Sequence, residues 1–120
     1  MGEDLELGAL SMGQKKVFIS FAIATNVTLL LMDEPTNGLD IPSKSQFRKM
    51  IATNMSDDKA VIISTHQVRD IDSLLDHVVI IDEKQLLLNE SVANICDTIY
   101  FAEQSMNEPT DEALYVQPSV

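Results

Sequence analysis

The sequence predicts an α/β fold built around a mainly parallel sheet, and three observations carry that prediction. Two short runs, 28–33 (TLLLMD) and 61–64 (VIIS), are almost wholly apolar, as strands buried on both faces are. A stretch with helical spacing, Ile41 to Met55, separates them. Each run leads into side chains suited to chemistry, Asp33-Glu34 at the end of the first and His66 just past the second. Strands joined by a helix of this length imply a parallel βαβ unit with a right-handed crossover.

In chain order, the first predicted element is a helix from Ser11 to Thr25. Ser11 and Gln14 form a Ser-x-x-Gln capping box, and Val17, Phe18, Phe21 and Ala22 cluster on one helical face. The first apolar strand follows. Pro35 and Gly38 then mark a loop before the second helix and the second strand. A short amphipathic helix is expected around Val68 to Leu75. The apolar runs 78–81 and 86–88, separated by Asp82-Glu83-Lys84-Gln85, predict a hairpin. Beyond Phe101 the pattern fades and no element is predicted.

With 120 residues the chain has room for one domain with a sizeable core. Its 45% hydrophobic and 22% charged content is that of a globular protein. No run approaches the ~18 apolar residues of a membrane span. The Met-Gly-Glu-Asp start has no signal-peptide character. A single cysteine, Cys96, excludes an internal disulfide framework and suits a reducing compartment. The formal net charge is −11, and no Lys or Arg follows Lys84, whereas six acids do. Such a surface repels phosphate backbones and anionic headgroups, so no nucleic-acid partner is expected.

The chemistry concentrates at the strand ends. Adjacent carboxylates after a buried strand stand at the carboxyl edge of the sheet, where open α/β folds bind ligands. Asp33 suits Mg²⁺, which takes few direct carboxylates and keeps much of its water. Glu34 suits the orientation and deprotonation of an attacking water. In a parallel sheet His66 shares that edge, where an imidazole can donate to a phosphate oxygen. Capping of the following turn by the acids, or of a helix by His66, are the plainer alternatives. The segment Gly8-x-x-x-x-Gly13-Gln14-Lys15 approaches the phosphate-binding pattern G-x-x-x-x-G-K-[ST] without meeting it. Gln14 lacks the cation required at the lysine position, and Lys15 lacks the metal-binding hydroxyl.

Four motifs stand in order: LSMGQ (10–14), LLLMDEP (29–35), NGLD (37–40) and STH (64–66). Together they resemble the signature, Walker B, D-loop and H-loop of ATP-binding-cassette (ABC) ATPases. The wording EPTNGLD is similar to that of bacterial, particularly exporter-type, cassettes. The resemblance implies a partial P-loop NTPase fold with ATP and Mg²⁺ as cofactors. It implies that Ser11, Gly13 and Gln14 contact the γ-phosphate of an ATP held by the opposite subunit of a homo- or heterodimer. Asp33 then serves the metal, Glu34 the hydrolytic water and His66 the γ-phosphate, while Asp40 couples the two sites. It further implies permease subunits as partners and a peripheral position on the inner face of the cell membrane. Met12 departs from the pattern, standing where the first of two signature glycines is usual.

The resemblance also implies that the Walker A loop and strand, the Q-loop and the aromatic adenine contact precede residue 1. The Walker A strand would lie between the His66 strand and the one near Val78. On this reading residues 1–90 are the C-terminal half of the ATPase domain, residues 91–120 are an acidic C-terminal segment, and the chain alone is inactive. A soluble ABC ATPase outside transport, and a non-catalytic fragment completing a partner's site in trans, are the alternatives.

Overall fold

The computed structural model describes residues 11–103. Contacts divide the chain into two compact units, with the boundary between Leu75 and Asp76. The first contains helix α1 (Met12–Ala24), strand β1 (Leu29–Asp33), helix α2 (Ile41–Asn54), strand β2 (Ala60–Ser64) and two 3₁₀ turns, Val68–Asp70 and Asp72–Leu74. The second contains strands β3 (His77–Asp82) and β4 (Gln85–Ser91) and helix α3 (Val92–Thr98).

β1 and β2 pair in parallel, from Leu29 opposite Ala60 to Asp33 opposite Ser64. This is the predicted βαβ unit, with α2 as its crossover. Both helices begin at strong caps. The Ser11 hydroxyl accepts from the Gln14 amide at 3.3 Å while the Gln14 side chain accepts from the Ser11 amide at 3.0 Å, completing the capping box. Asp40 caps α2 by accepting from the Ser43 amide at 2.9 Å, with Pro42 in the first turn.

The core of this unit is Ile19 from α1, Leu39 from the loop, Phe47 and Ile51 from α2, and Ile71 between the 3₁₀ turns. Met32, Val61 and Ile63 pack against it from the strands. Side chains alternate across a strand, so the opposite face carries Leu29, Leu31 and Ile62, each more than half exposed. The expectation of strands buried on both faces therefore holds for one face only, because α1 and α2 both contribute to the same side. The expected apolar face of α1 is also corrected. Val17, Phe18 and Phe21 are exposed, and Ile19, with Ile23 partly buried beside it, makes the contact with the core. The helix expected over 68–75 is two separate 3₁₀ turns, with Ile71 between them at φ −131°, outside helical geometry.

In the second unit β3 and β4 pair antiparallel, from His77 opposite Ser91 to Asp82 opposite Gln85, with an irregularity at Ile80/Ile81. Glu83 and Lys84 form the turn with φ of 43° and 65°. Two positive φ values match the twist of a two-residue hairpin, although neither residue is the glycine or asparagine usual there. α3, which the sequence reading left unassigned, starts where the Ser91 hydroxyl accepts from the Asn94 amide at 3.2 Å. Within this unit the Val92 amide also donates to the Asp76 carbonyl at 2.9 Å. Among the described residues no helix is long and apolar enough to cross a membrane.

Candidate functional site

Parallel pairing brings the carboxyl ends of β1 and β2 side by side, and the acids and the imidazole meet there. The Glu34 amide donates to the Ser64 carbonyl at 2.8 Å, extending the ladder one step past Asp33. Glu34 then takes φ 44°, a left-handed conformation that turns the chain sharply away from the strand. That turn directs the Glu34 carboxylate to the residues after β2. Oε2 accepts from the Thr65 hydroxyl at 3.1 Å, and Oε1 accepts from the His66 amide at 3.0 Å. His66 Nδ1 lies 2.5 Å from Oε1. The same edge holds Asp33, whose Oδ1 accepts from the Ser64 hydroxyl.

These contacts set the electrostatics. The Glu34 carboxyl is held below the usual carboxylate range, chiefly by the hydrogen bond from the His66 side chain. Partial desolvation opposes this, and the His66 amide and Thr65 hydroxyl reinforce it. Glu34 is therefore ionised at neutral pH, as a group that must accept a proton has to be. The His66 side chain is 73% exposed. With Nδ1 engaged by Glu34, its Nε2 has no hydrogen-bond partner among the described residues and is open to a ligand.

The signature-like residues stand at the start of α1. Ser11, Gly13 and Gln14 are all exposed, and a Cβ added at Gly13 would meet nothing within 4 Å. Among the described residues nothing requires a glycine there, which leaves the backbone approachable from outside. Leu10 lies outside the described residues. Met12 is 40% exposed, and its sulfur is 4.0 Å from the Ser43 hydroxyl. Lys15, set aside in the sequence as a failed phosphate-loop position, donates to the carbonyls of Glu34 at 3.3 Å and Asn37 at 2.5 Å. It thus ties α1 to the loop after β1. Asp40 ends that loop, and its carboxyl is lowered mainly by the hydrogen bond from Ser43.

Of the residues predicted from sequence, Asp33, Glu34 and His66 are brought to one sheet edge. Ser11 and Gln14 bond to each other, and Asp40 is occupied at a helix cap. Sequence reasoning missed the supporting groups Lys15, Ser64, Thr65, Thr36 and Asp70. Of these, Ser64 and Thr65 stood in the STH motif and Thr36 in the EPTNGLD run, but none was given a role.

Among the described residues no group of three or more His, Cys, Asp or Glu side chains is placed to hold a metal ion. Asp33 nevertheless fits a magnesium ion that keeps water and phosphate oxygens as its other ligands: a single exposed carboxylate beside a hydroxyl at a strand end.

A βαβ unit with an acid pair at the end of its first strand, beside an imidazole just after its second, is an arrangement compatible with the P-loop NTPase class. Comparison with known proteins agrees. The protein-family model described as "AAA domain, putative AbiEii toxin, Type IV TA system" matches residues 1–69. The chain belongs to this P-loop ATPase family, and its sequence is part of an ABC-type ATPase. It is 34% identical over 82 residues to the chelated iron transport system membrane protein YfeB of Yersinia pestis, covering 68% of this chain and 28% of that protein. To the ABC transporter ATP-binding protein NatA of Bacillus subtilis it is 30% identical over 100 residues, 82% of this chain and 39% of that one. To the SkfA peptide export ATP-binding protein SkfE of the same organism it is 36% identical over 81 residues, 67% and 34% respectively. The chain thus matches between 28% and 39% of the length of these curated relatives.

Proposed function

We propose that these residues are the water-activating part of an ATP-binding and hydrolysing subunit of an ABC transporter. The observation that carries this reading is the direct pairing of the Glu34 carboxylate with His66 at the carboxyl edge of the parallel strands, 2.5 Å apart. Glu34 orients the attacking water and takes its proton. His66, steadied through Nδ1, presents its other ring nitrogen to the terminal phosphate. Asp33 holds Mg²⁺, which when bound neutralises charge developing on the phosphoryl oxygens.

Ser11, Gly13 and Gln14 serve a second cassette. The exposed start of α1 offers amides and a hydroxyl to the γ-phosphate of an ATP bound by the opposite subunit. Asp40, at the end of the loop that Lys15 ties to α1, couples the two sites. ATP-driven dimerisation then moves permease subunits, with the ATPase on the cytoplasmic face of the membrane. The names of the relatives, which include transport and export systems, support a transporter over a soluble ABC ATPase.

The 120 residues contain no G-x-x-x-x-G-K-[ST] and so no lysine for the β- and γ-phosphates. On their own they are proposed not to turn over ATP. In the intact subunit, Glu34→Gln should lower ATPase activity by roughly a hundredfold or more, while ATP-dependent dimerisation, followed by light scattering, persists. A Glu34→Gln subunit that hydrolyses ATP at the wild-type rate would refute the assignment.

A further inference from the structure

A second link stands beside the Glu34–His66 pair. Thr36, just after Glu34, is 1% exposed, and its hydroxyl donates to Asp70 Oδ2 at 2.9 Å. Asp70 lies four residues after His66, at the end of the 3₁₀ turn Val68–Asp70. The same carboxylate oxygen meets Lys44 Nζ from α2 at 2.8 Å, and Arg48 Nη1, the next turn of α2, donates to the Asp70 carbonyl at 3.0 Å. The side chains of Lys44 and Asp70 are only 23% and 15% exposed. Ile71, which follows, is 3% exposed and belongs to the core.

The loop after β1 and the segment after β2 are thus joined by two rungs. One is made by Glu34 with half-buried Thr65 and exposed His66; the other is half-buried and made by Thr36 with Asp70. An exposed hydrogen-bonded pair is weak on its own, because ordering two side chains cancels most of its gain. Glu34 also holds a left-handed backbone conformation that persists only when its surroundings enforce it. The inner rung contributes to that enforcement beside the Lys15 contact to the Glu34 carbonyl, since it is anchored on a buried hydroxyl, on two cations of α2 and on a core isoleucine.

We infer that Asp70 is a positioning residue, which through Thr36 fixes the loop after β1 against the segment after β2 so that Glu34 and His66 meet in register. The inference deepens the proposed function and rests on Glu34–His66 being the working pair. It predicts a loss of alignment when the inner rung is cut, even where the fold survives.

The test is amide hydrogen exchange by NMR on the full 120-residue chain. The His66 amide, which donates to Glu34 Oε1, reports whether the carboxylate is in place. The Ala60 amide, which donates to the Thr28 carbonyl at 2.8 Å, reports the far end of the sheet. Thr36→Val keeps the volume and removes the hydroxyl. It should speed His66 exchange about fivefold and leave Ala60 within about twofold. Thr36→Ser, which restores a hydroxyl, should return His66 to the wild-type rate. The inference is overturned if His66 is unchanged in Thr36→Val, if Ala60 accelerates in step with it, or if Thr36→Ser behaves like the valine variant. Should Thr36→Val not fold, Asp70→Asn carries the test: it keeps an acceptor for Thr36 but loses the ion pair with Lys44. It should give a smaller acceleration confined to His66, and no change there overturns the inference. The readout needs no nucleotide. A Glu34→Gln subunit that still hydrolyses ATP would therefore sink the functional reading and leave the exchange result standing.

Discussion

Two two-stranded sheets, one parallel and one antiparallel, do different work in this chain. The β1–β2 pair must be connected by a long crossover, and that crossover, α2, supplies Phe47 and Ile51 to the core. The β3–β4 hairpin closes through Glu83 and Lys84 alone, so nothing in its connection covers it. Among the described residues the buried core of Ile19, Leu39, Phe47, Ile51 and Ile71 lies in the first unit, and none from 76 to 103 is buried. Val79, Ile81, Leu86 and Leu87 of the hairpin are each more than half exposed. The candidate site sits where the backbone is backed by that core. An acid and an imidazole from distant parts of the chain stay aligned only if the strands carrying them are held.

The largest test of this contrast is a core truncation. Phe47 is 1% exposed, and Phe47→Ala should cost about 3–5 kcal/mol, read as a lowered urea midpoint at 222 nm. Leu87→Ala, 58% exposed in the hairpin, should stay within about 0.5 kcal/mol. Equal losses from the two substitutions would erase the distinction between the units.

A smaller effect is expected from acid. Glu34, Asp40, Asp58 and Asp70 all have lowered carboxyl pKa values, and all four lie in the first unit. Their leading causes are hydrogen bonds from His66, Ser43, Ser56 and Lys44 respectively. A carboxyl whose folded pKa is depressed adds stability above its unfolded value and loses it as pH falls through the folded one. The melting temperature should therefore hold at neutral pH and drop below about pH 4. Asp70→Asn should flatten that drop. A melting temperature that rises on acidification would contradict the assigned hydrogen bonds.

The sequence made the first unit legible and much of its packing illegible. TLLLMD and VIIS gave the strands and their parallel pairing, and Ser-x-x-Gln gave the cap of α1 atom for atom. Periodicity on α1 pointed to Val17, Phe18 and Phe21, yet Ile19 faces the core. An apolar helix such as this one offers more than one face, and only the position of α2 selects among them. Asp33, Glu34 and His66 could be placed on one edge because parallel strands share their carboxyl ends. Thr36 and Asp70 could not, since a contact between a loop hydroxyl and a 3₁₀-turn acid leaves no periodic trace. Lys15 was weighed only against a phosphate-loop pattern, and its bonds to two loop carbonyls depend on a turn that Glu34 itself creates.

That turn has a consequence for how position 34 tolerates change. At φ 44° a side chain of any kind crowds the backbone, and glycine alone escapes the penalty. Once the carboxylate is removed, Glu34→Gly should fold more tightly than Glu34→Ala, by about 1 kcal/mol, against the ordinary ranking of those two residues. Equilibrium denaturation of the pair would reveal it, and an alanine variant at least as robust as the glycine one would show that the bend is not strained. If the glycine is favoured, thermal selection at this residue pulls against the carboxylate proposed to activate water, and variants chosen for heat tolerance would be the first to lose it.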